Sequence, residues 1–278
     1  MLMCSNQERT RKNKRRLLLL LASVVFVLAN TSSAQFHLPG PPPQNPSDYG
    51  KVILDTYSST NPGAVVFDHW LHRSKFTCRL CHVDIGFAME AKATGIRAAT
   101  NRQGFHCGAC HDGKRIIDGK TVFASCSDEK NGKQCARCHS PGKQGVREYE
   151  YKVFTAKLPK DRYGINWEAA ENEGRIKPID FLDGLSVRKR PMPSREDFSI
   201  NAGSSMIHPI LFSHEKHSVW NGCELCHPEI FPTARKNTVA YSMFSNIDGR
   251  HCGACHGKVA FPLNYCGNCH PRAPSWAQ

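Results

Sequence analysis

The chain is short of apolar sequence. In 278 residues the one long hydrophobic run is Leu17–Ala29, thirteen residues, and a bilayer span takes about 20. Mean hydropathy is −0.46 and hydrophobic residues make up 40%, which excludes a polytopic membrane protein. Helical or alternating periodicity is scarce, so short elements are expected rather than long helices or a broad sheet. Acidic residues are outnumbered, 24 against 37 basic, for a formal charge of +13. Cysteine is not scarce. Fourteen Cys are too many for an ordinary cytosolic enzyme, and with the aromatics they exclude simple disorder. The length suits one large domain or two small ones.

The first 34 residues read as a secretory signal. Six Lys/Arg precede the run Leu17–Ala29, and Ser32 and Ala34 stand at −3 and −1 of a cleavage before Gln35. Cys4 lies in the basic region, which argues against a lipoprotein. The expected address is the periplasm, with the outer surface or the extracellular space as alternatives.

Twelve of the 14 Cys fall in six copies of C-x-x-C-H: Cys78-Cys81-His82, Cys107-Cys110-His111, Cys135-Cys138-His139, Cys223-Cys226-His227, Cys252-Cys255-His256 and Cys266-Cys269-His270. This is the attachment signal for c-type haem. Two thiols three positions apart can add to the two vinyl groups on one porphyrin edge, and the following His binds the iron. Zinc ribbons and disulfide frameworks also use Cys pairs. Neither explains a His after every pair, a coincidence on the order of 10⁻⁸ at this His content. Six covalent haems are therefore expected.

Eight His remain: His37, His69, His72, His106, His208, His214, His217 and His251. The chain repeats itself, Val65–His111 matching Ile210–His256 at a constant offset of 145 without a gap. His69, His72 and His106 recur in it as His214, His217 and His251, six candidates for six second axial ligands. His106 adjoins Cys107, at the edge of its own porphyrin, so it should serve a neighbour. His69 and His72 lie three apart on one side of a helical turn and should serve two haems. His37 and His208 read as solvated or core residues, or as ligands to another subunit's haem. Cys126 reads as a free thiol, or as one half of an intermolecular disulfide.

V-x-F-x-H-x-x-H followed by three C-x-x-C-H sites resembles the c7-type triheme module of the cytochrome c3 superfamily, here twice in tandem. The resemblance implies a haem-packed multihaem cytochrome c fold with little regular secondary structure, short helices after the haem sites and a small hairpin near each module's start. It further implies that His69 ligates the haem on Cys78/Cys81, His72 that on Cys107/Cys110 and His106 that on Cys135/Cys138. His214, His217 and His251 would repeat this in the second module. The family carries low-potential electrons in exported proteins. The chain departs from it in the closeness of His106 to Cys107 and in a longer loop between His111 and Cys135 than between His256 and Cys266.

The expected organisation is a signal (1–34), a Pro-rich segment (35–64), module one (65–140), a connector (141–207), module two (208–271) and a tail (272–278). The connector carries Phe154, Leu158, Trp167, Ile179 and Leu182, too apolar for a flexible linker. It either packs over haem edges or fixes the angle between modules, with a short helix in 165–175 ending at Gly174.

Loss of the signal leaves a formal +8. Six haems with two propionates each bring this to roughly +2 oxidised or −4 reduced, so a nucleic-acid partner is not expected. With two His per iron no position stays open for substrate. The expected function is electron transfer, not catalysis. The partners would be redox proteins: cytochromes, a membrane quinol-linked complex or an outer-membrane conduit. The rivals are a multihaem reductase with one open iron, for which no C-x-x-C-K site is present, and a structural subunit of a cytochrome filament or conduit, with oligomers possible. Pyridine haemochrome assay of the purified protein should return six haems per chain that resist acid–acetone extraction, on a polypeptide beginning at Gln35.

Overall fold

The computed structural model describes residues 46–54, 63–126, 135–139, 144–161, 164–187, 196–201, 207–232 and 241–271. The expected signal (1–34), most of the Pro-rich segment with His37, and the expected tail (272–278) lie outside them. Among the described residues no helix is long and apolar enough to cross a membrane.

Each repeat starts with a two-stranded antiparallel hairpin. In the first, β1 (Lys51–Leu54) pairs with β2 (Val65–Asp68), with Val52 opposite Phe67. Two-residue strands β3 (Ile116–Ile117) and β4 (Lys120–Thr121) form a small hairpin in the loop after His111, and β5 (Lys160–Asp161) and β6 (Gly164–Ile165) form another in the connector. The second repeat pairs β7 (Phe198–Ile200) with β8 (Ile210–Phe212).

The helices are short because little apolar periodicity supports longer ones. They are α1 (His69–Arg73), α2 (Ala98–Arg102), α3 (Gln144–Thr155), α4 (Trp167–Asn172), α5 (His214–Asn221), α6 (Met243–Ile247) and α7 (Cys266–Cys269). Of these, α3 follows the third of the C-x-x-C-H sites, as expected from sequence. α1, α2, α5 and α6 precede them, since each must bring an upstream His or a backbone carbonyl to the motif that comes next. The motifs themselves are single helical turns. The His N–H of five of them bonds the carbonyl of the first Cys, from His270 at 2.7 Å to His227 at 3.0 Å. One such turn puts residues i and i+3, the two Cys, on the same side.

Few apolar side chains are buried. Phe76, Leu80 and Leu182 form one cluster, and Leu158, Ala170 and Ile176 another. The connector builds both. Its Ile179 bridges Phe76 of the first repeat, and Trp220 of α5 packs on the second cluster. The sequence signals had not marked α3, the longest helix among the described residues, whose Tyr151 and Phe154 pack on Trp70 at 5.3 and 5.7 Å between ring centroids. α4 starts where the Asn166 side chain accepts the Ala169 N–H and ends before Gly174 at φ +66°, a left-handed position that suits glycine.

Ile176 is 5% exposed and sits in the cluster joining connector to second repeat. Ile176→Ala should cost about 2–5 kcal/mol, read as a lower midpoint in denaturant with the haem spectrum of the folded protein unchanged.

Candidate functional site

The candidate site is a set of imidazoles arranged in the same way twice. In the first repeat the hairpin delivers the chain to α1, and Phe67 wedges between its two His, 4.8 Å from His69 and 4.5 Å from His72. In the second, Phe212 stands 4.9 Å from His214 and 4.4 Å from His217. The Phe keeps the two rings apart.

Three pairs of rings then stand across a gap from each other. His69 and His82 lie 6.5 Å apart with planes 6° from parallel. His72 and His111 lie 6.3 Å apart at 58°, and His217 and His256 lie 6.2 Å apart at 60°. Each joins a motif His to a His upstream. Two imidazoles on opposite faces of one metal, each about 2 Å from it, leave ring centroids roughly 6 Å apart. Among the described residues no ring contact joins His214 to His227, His106 to His139, or His251 to His270.

The second nitrogen of most rings is tied to backbone. A carbonyl only accepts, so each Nδ1 here must donate and Nε2 keeps its lone pair. The motif His82 and His227 donate to the carbonyls of Phe87 (2.9 Å) and Phe231 (2.6 Å), and His256 donates to that of Phe261 (3.2 Å). His139 and His270 donate to the carbonyls of Gly63 and His208, which correspond at the offset of 145. Backbone, not the ring, is thus what His208 contributes here. Upstream, His72 and His217 donate to Asp68 and Ser213 four residues back, and His69 and His214 donate to Gly50 and Glu196 beside the first hairpin strand. Among the described residues His106, His111 and His251 have a buried Nδ1 with no hydrogen-bond partner. The Phe123 carbonyl lies by the His111 ring and raises its basicity without reaching hydrogen-bond geometry.

Burial sets the charge of these rings. It pushes His72 down to about 3 and His256 down to about 4, and lowers His69, His82, His111 and His217. All six are neutral at pH 7, the form that ligates metal. The thiols shift the other way: burial raises Cys81 and Cys255 to about 12. The described Cys, Cys126 included, form no disulfides, and no three His, Cys, Asp or Glu side chains among the described residues converge on a common metal position. Cys126 lies beside Asn101, whose Nδ2 is 3.7 Å from its Sγ.

Two kinds of residue escaped the sequence reading. One is the Phe whose carbonyl meets the motif His. It follows by four or five residues at Phe87, Phe231 and Phe261, and the β3–β4 hairpin displaces it to Phe123. The rings nevertheless agree, Phe123 lying 4.5 Å from His111 and Phe261 lying 4.3 Å from His256. An Ile or Val two residues before Phe87 and Phe261 and directly before Phe123 and Phe231 was the available signal. The other is Gly108 with its counterpart Gly253. A Cβ on either would come within 1.8 Å of the Asn101 or Asn246 carbonyl oxygen, so only glycine lets α2 and α6 pack on the motif turn. His106 and His251 enter that turn at φ +50° and +48°, a left-handed conformation costing about 1–3 kcal/mol.

Unpaired thiols in C-x-x-C turns, neutral imidazoles with Nε2 free, and a small apolar core suit a chain organised around covalent porphyrin. The arrangement defines a multihaem c-type cytochrome. The family model for cytochrome c7 and related cytochrome c matches residues 65–140 and 210–271, and the chain belongs to that family as two tandem c7-type modules. Solved structures give similar sequences. The N-terminal hexaheme fragment of GSU1996 is 24% identical over 80% of this chain and 99% of that one, with a TM-score of 0.25. The C-terminal hexaheme fragment is 22% identical over 80% and 96%, TM-score 0.24. The dodecaheme cytochrome c GSU1996 is 22% identical over 81% and 75%, TM-score 0.26. A comparison with curated proteins finds no match.

Gly108→Ala should prevent the second motif turn from closing and yield protein with one haem fewer by pyridine haemochrome, with Gly253→Ala doing the same in the second repeat.

Proposed function

We propose that this chain is an exported electron-transfer cytochrome carrying six haems, each iron held by two imidazoles. The observation that carries the reading is the three ring pairs at 6.2–6.5 Å. Cys78/Cys81, Cys107/Cys110, Cys135/Cys138, Cys223/Cys226, Cys252/Cys255 and Cys266/Cys269 would hold the haems. His82, His111, His139, His227, His256 and His270 would be the proximal ligands. The second ligands would be His69, His72, His106, His214, His217 and His251, in the pairing given above.

Bound haem supplies one-electron chemistry, and two imidazoles leave its iron closed to substrate. The chain's own part is to hold the rings. In nine of the twelve rings donation from Nδ1 to a carbonyl fixes the ring's orientation and makes Nε2 more basic. Two imidazoles donate more strongly than a His/Met set, favouring low potentials. Phe67 and Phe212 keep neighbouring ligands from exchanging places. The basic amino-terminal region and Leu17–Ala29 support export to the periplasm, and other redox proteins are the natural donors and acceptors. A reductase would need an open iron. It would lie at a motif whose His makes no ring contact with an upstream His among the described residues: His139, His227 or His270.

The visible spectrum of dithionite-reduced protein decides between them. Sharp low-spin bands unchanged by carbon monoxide are expected, and a CO-shifted Soret component would overturn the closed-iron reading.

A further inference from the structure

The first motif of module one packs against the first motif of module two. Arg79 stands between Cys78 and Cys81, and Glu224 between Cys223 and Cys226. The Arg79 side chain is 7% exposed and its guanidinium gathers three carboxylates. Asp84 lies at 3.2 Å from its own module, Asp180 at 3.3 Å from the connector, and Glu224 at 3.9 Å from module two. It also donates to the Asp180 carbonyl at 3.1 Å. The approach is close enough to need a glycine: at Gly222, φ +63°, a Cβ would lie 2.5 Å from Arg79 Cδ.

The neighbouring contacts continue the junction. Arg73 donates to the Val259 carbonyl at 2.7 Å, and the Tyr49 hydroxyl donates to that of Ala260, both just past His256. A cavity of about 600 Å³ lies between the modules, lined by His82, Phe87 and Met89 on one side and Glu224, Leu225 and Ala254 on the other. Ala254 belongs to the Cys252–His256 motif. The third motifs attach elsewhere. The Cys138 carbonyl accepts from Val66 of its own module, His139 donates to Gly63 just before that module, and His270 donates to His208 of its own.

We propose that electrons cross between the modules at the first motif and not the third, the site on Cys78/Cys81 being the neighbour of those on Cys223/Cys226 and Cys252/Cys255, with Arg79 as the positioning residue of that junction. The relay does not follow sequence order, in which the third site would hand over to the fourth, and the motifs at 135–139 and 266–270 become its two ends. This inference rests on the six-haem reading above. Arg79 has a second effect. One cation among three carboxylates leaves net negative charge beside the first and fourth sites, which stabilises the oxidised haems and lowers both potentials.

The test is an NMR-monitored redox titration of the holoprotein and its Glu224→Gln and Glu224→Asp variants, with haem methyl signals assigned through flanking side chains. In Glu224→Gln the first and fourth sites should both rise in potential, and the third and sixth should move least. Glu224→Asp, which keeps the charge, should restore both. A rise at the fourth site accompanied by the third, or by none in module one, would overturn the proposal. The comparison is read the same way whether or not an iron binds carbon monoxide, so a failed closed-iron reading and a failed junction are told apart.

Discussion

Among the described residues nine imidazoles donate Nδ1–H to a backbone carbonyl, and the rest of the fold is organised to supply those carbonyls. A helix offers its own i−4 oxygen at Asp68 and Ser213. A hairpin offers Gly50 or Glu196. A loop returning from the motif offers Phe87, Phe231 or Phe261. The entry to β2 or β8 offers Gly63 or His208. Each bond selects one tautomer, aims Nε2 into a gap and ties one stretch of chain to another. Secondary structure is sparse because these ties, with the covalent haem of the family, do what long helices and sheets do elsewhere.

The connector takes the remaining load. Its apolar residues are not spread over a flexible tether but gathered into two clusters, one closed by Phe76 and Leu80 of the first module, the other by Trp220 of the second. Arg73 lies 4.4 Å over the Trp167 ring, and Lys216 of α5 pairs with Glu168 of α4 at 2.5 Å. The latter pair is exposed and adds little stability. The buried contacts fix how the modules meet, and with them which motifs become neighbours.

How much was legible in the sequence differs by residue. C-x-x-C-H needs its residues adjacent, so the six motifs could be read directly. The offset of 145 exposed His69, His72 and His106 with their counterparts, because a repeated local structure repeats its spacing. The four short helices that come before the motifs were not foreseen, since helices of five to eight residues leave little periodic signature. α3 was missed for a related reason: its apolar residues answer to Trp70, 81 residues before Tyr151, rather than to a regular stripe. The Phe carbonyls were hidden because backbone acceptors carry no residue-type signal, and the hairpin at 116–121 moved one of them out of register.

By itself the sequence determined the cofactor chemistry, the number of attachment motifs, the two-module repeat and the candidate ligands, all properties of residues a few positions apart or at one fixed offset. Only the tertiary structure decided which rings face each other, which carbonyls hold them, and that the first motif of one module meets the first of the other. Those depend on Arg79 reaching Asp180 and Glu224, 101 and 145 positions away. Long-range burial and charge pairing are set by how the whole chain closes on itself, and no local spacing records them.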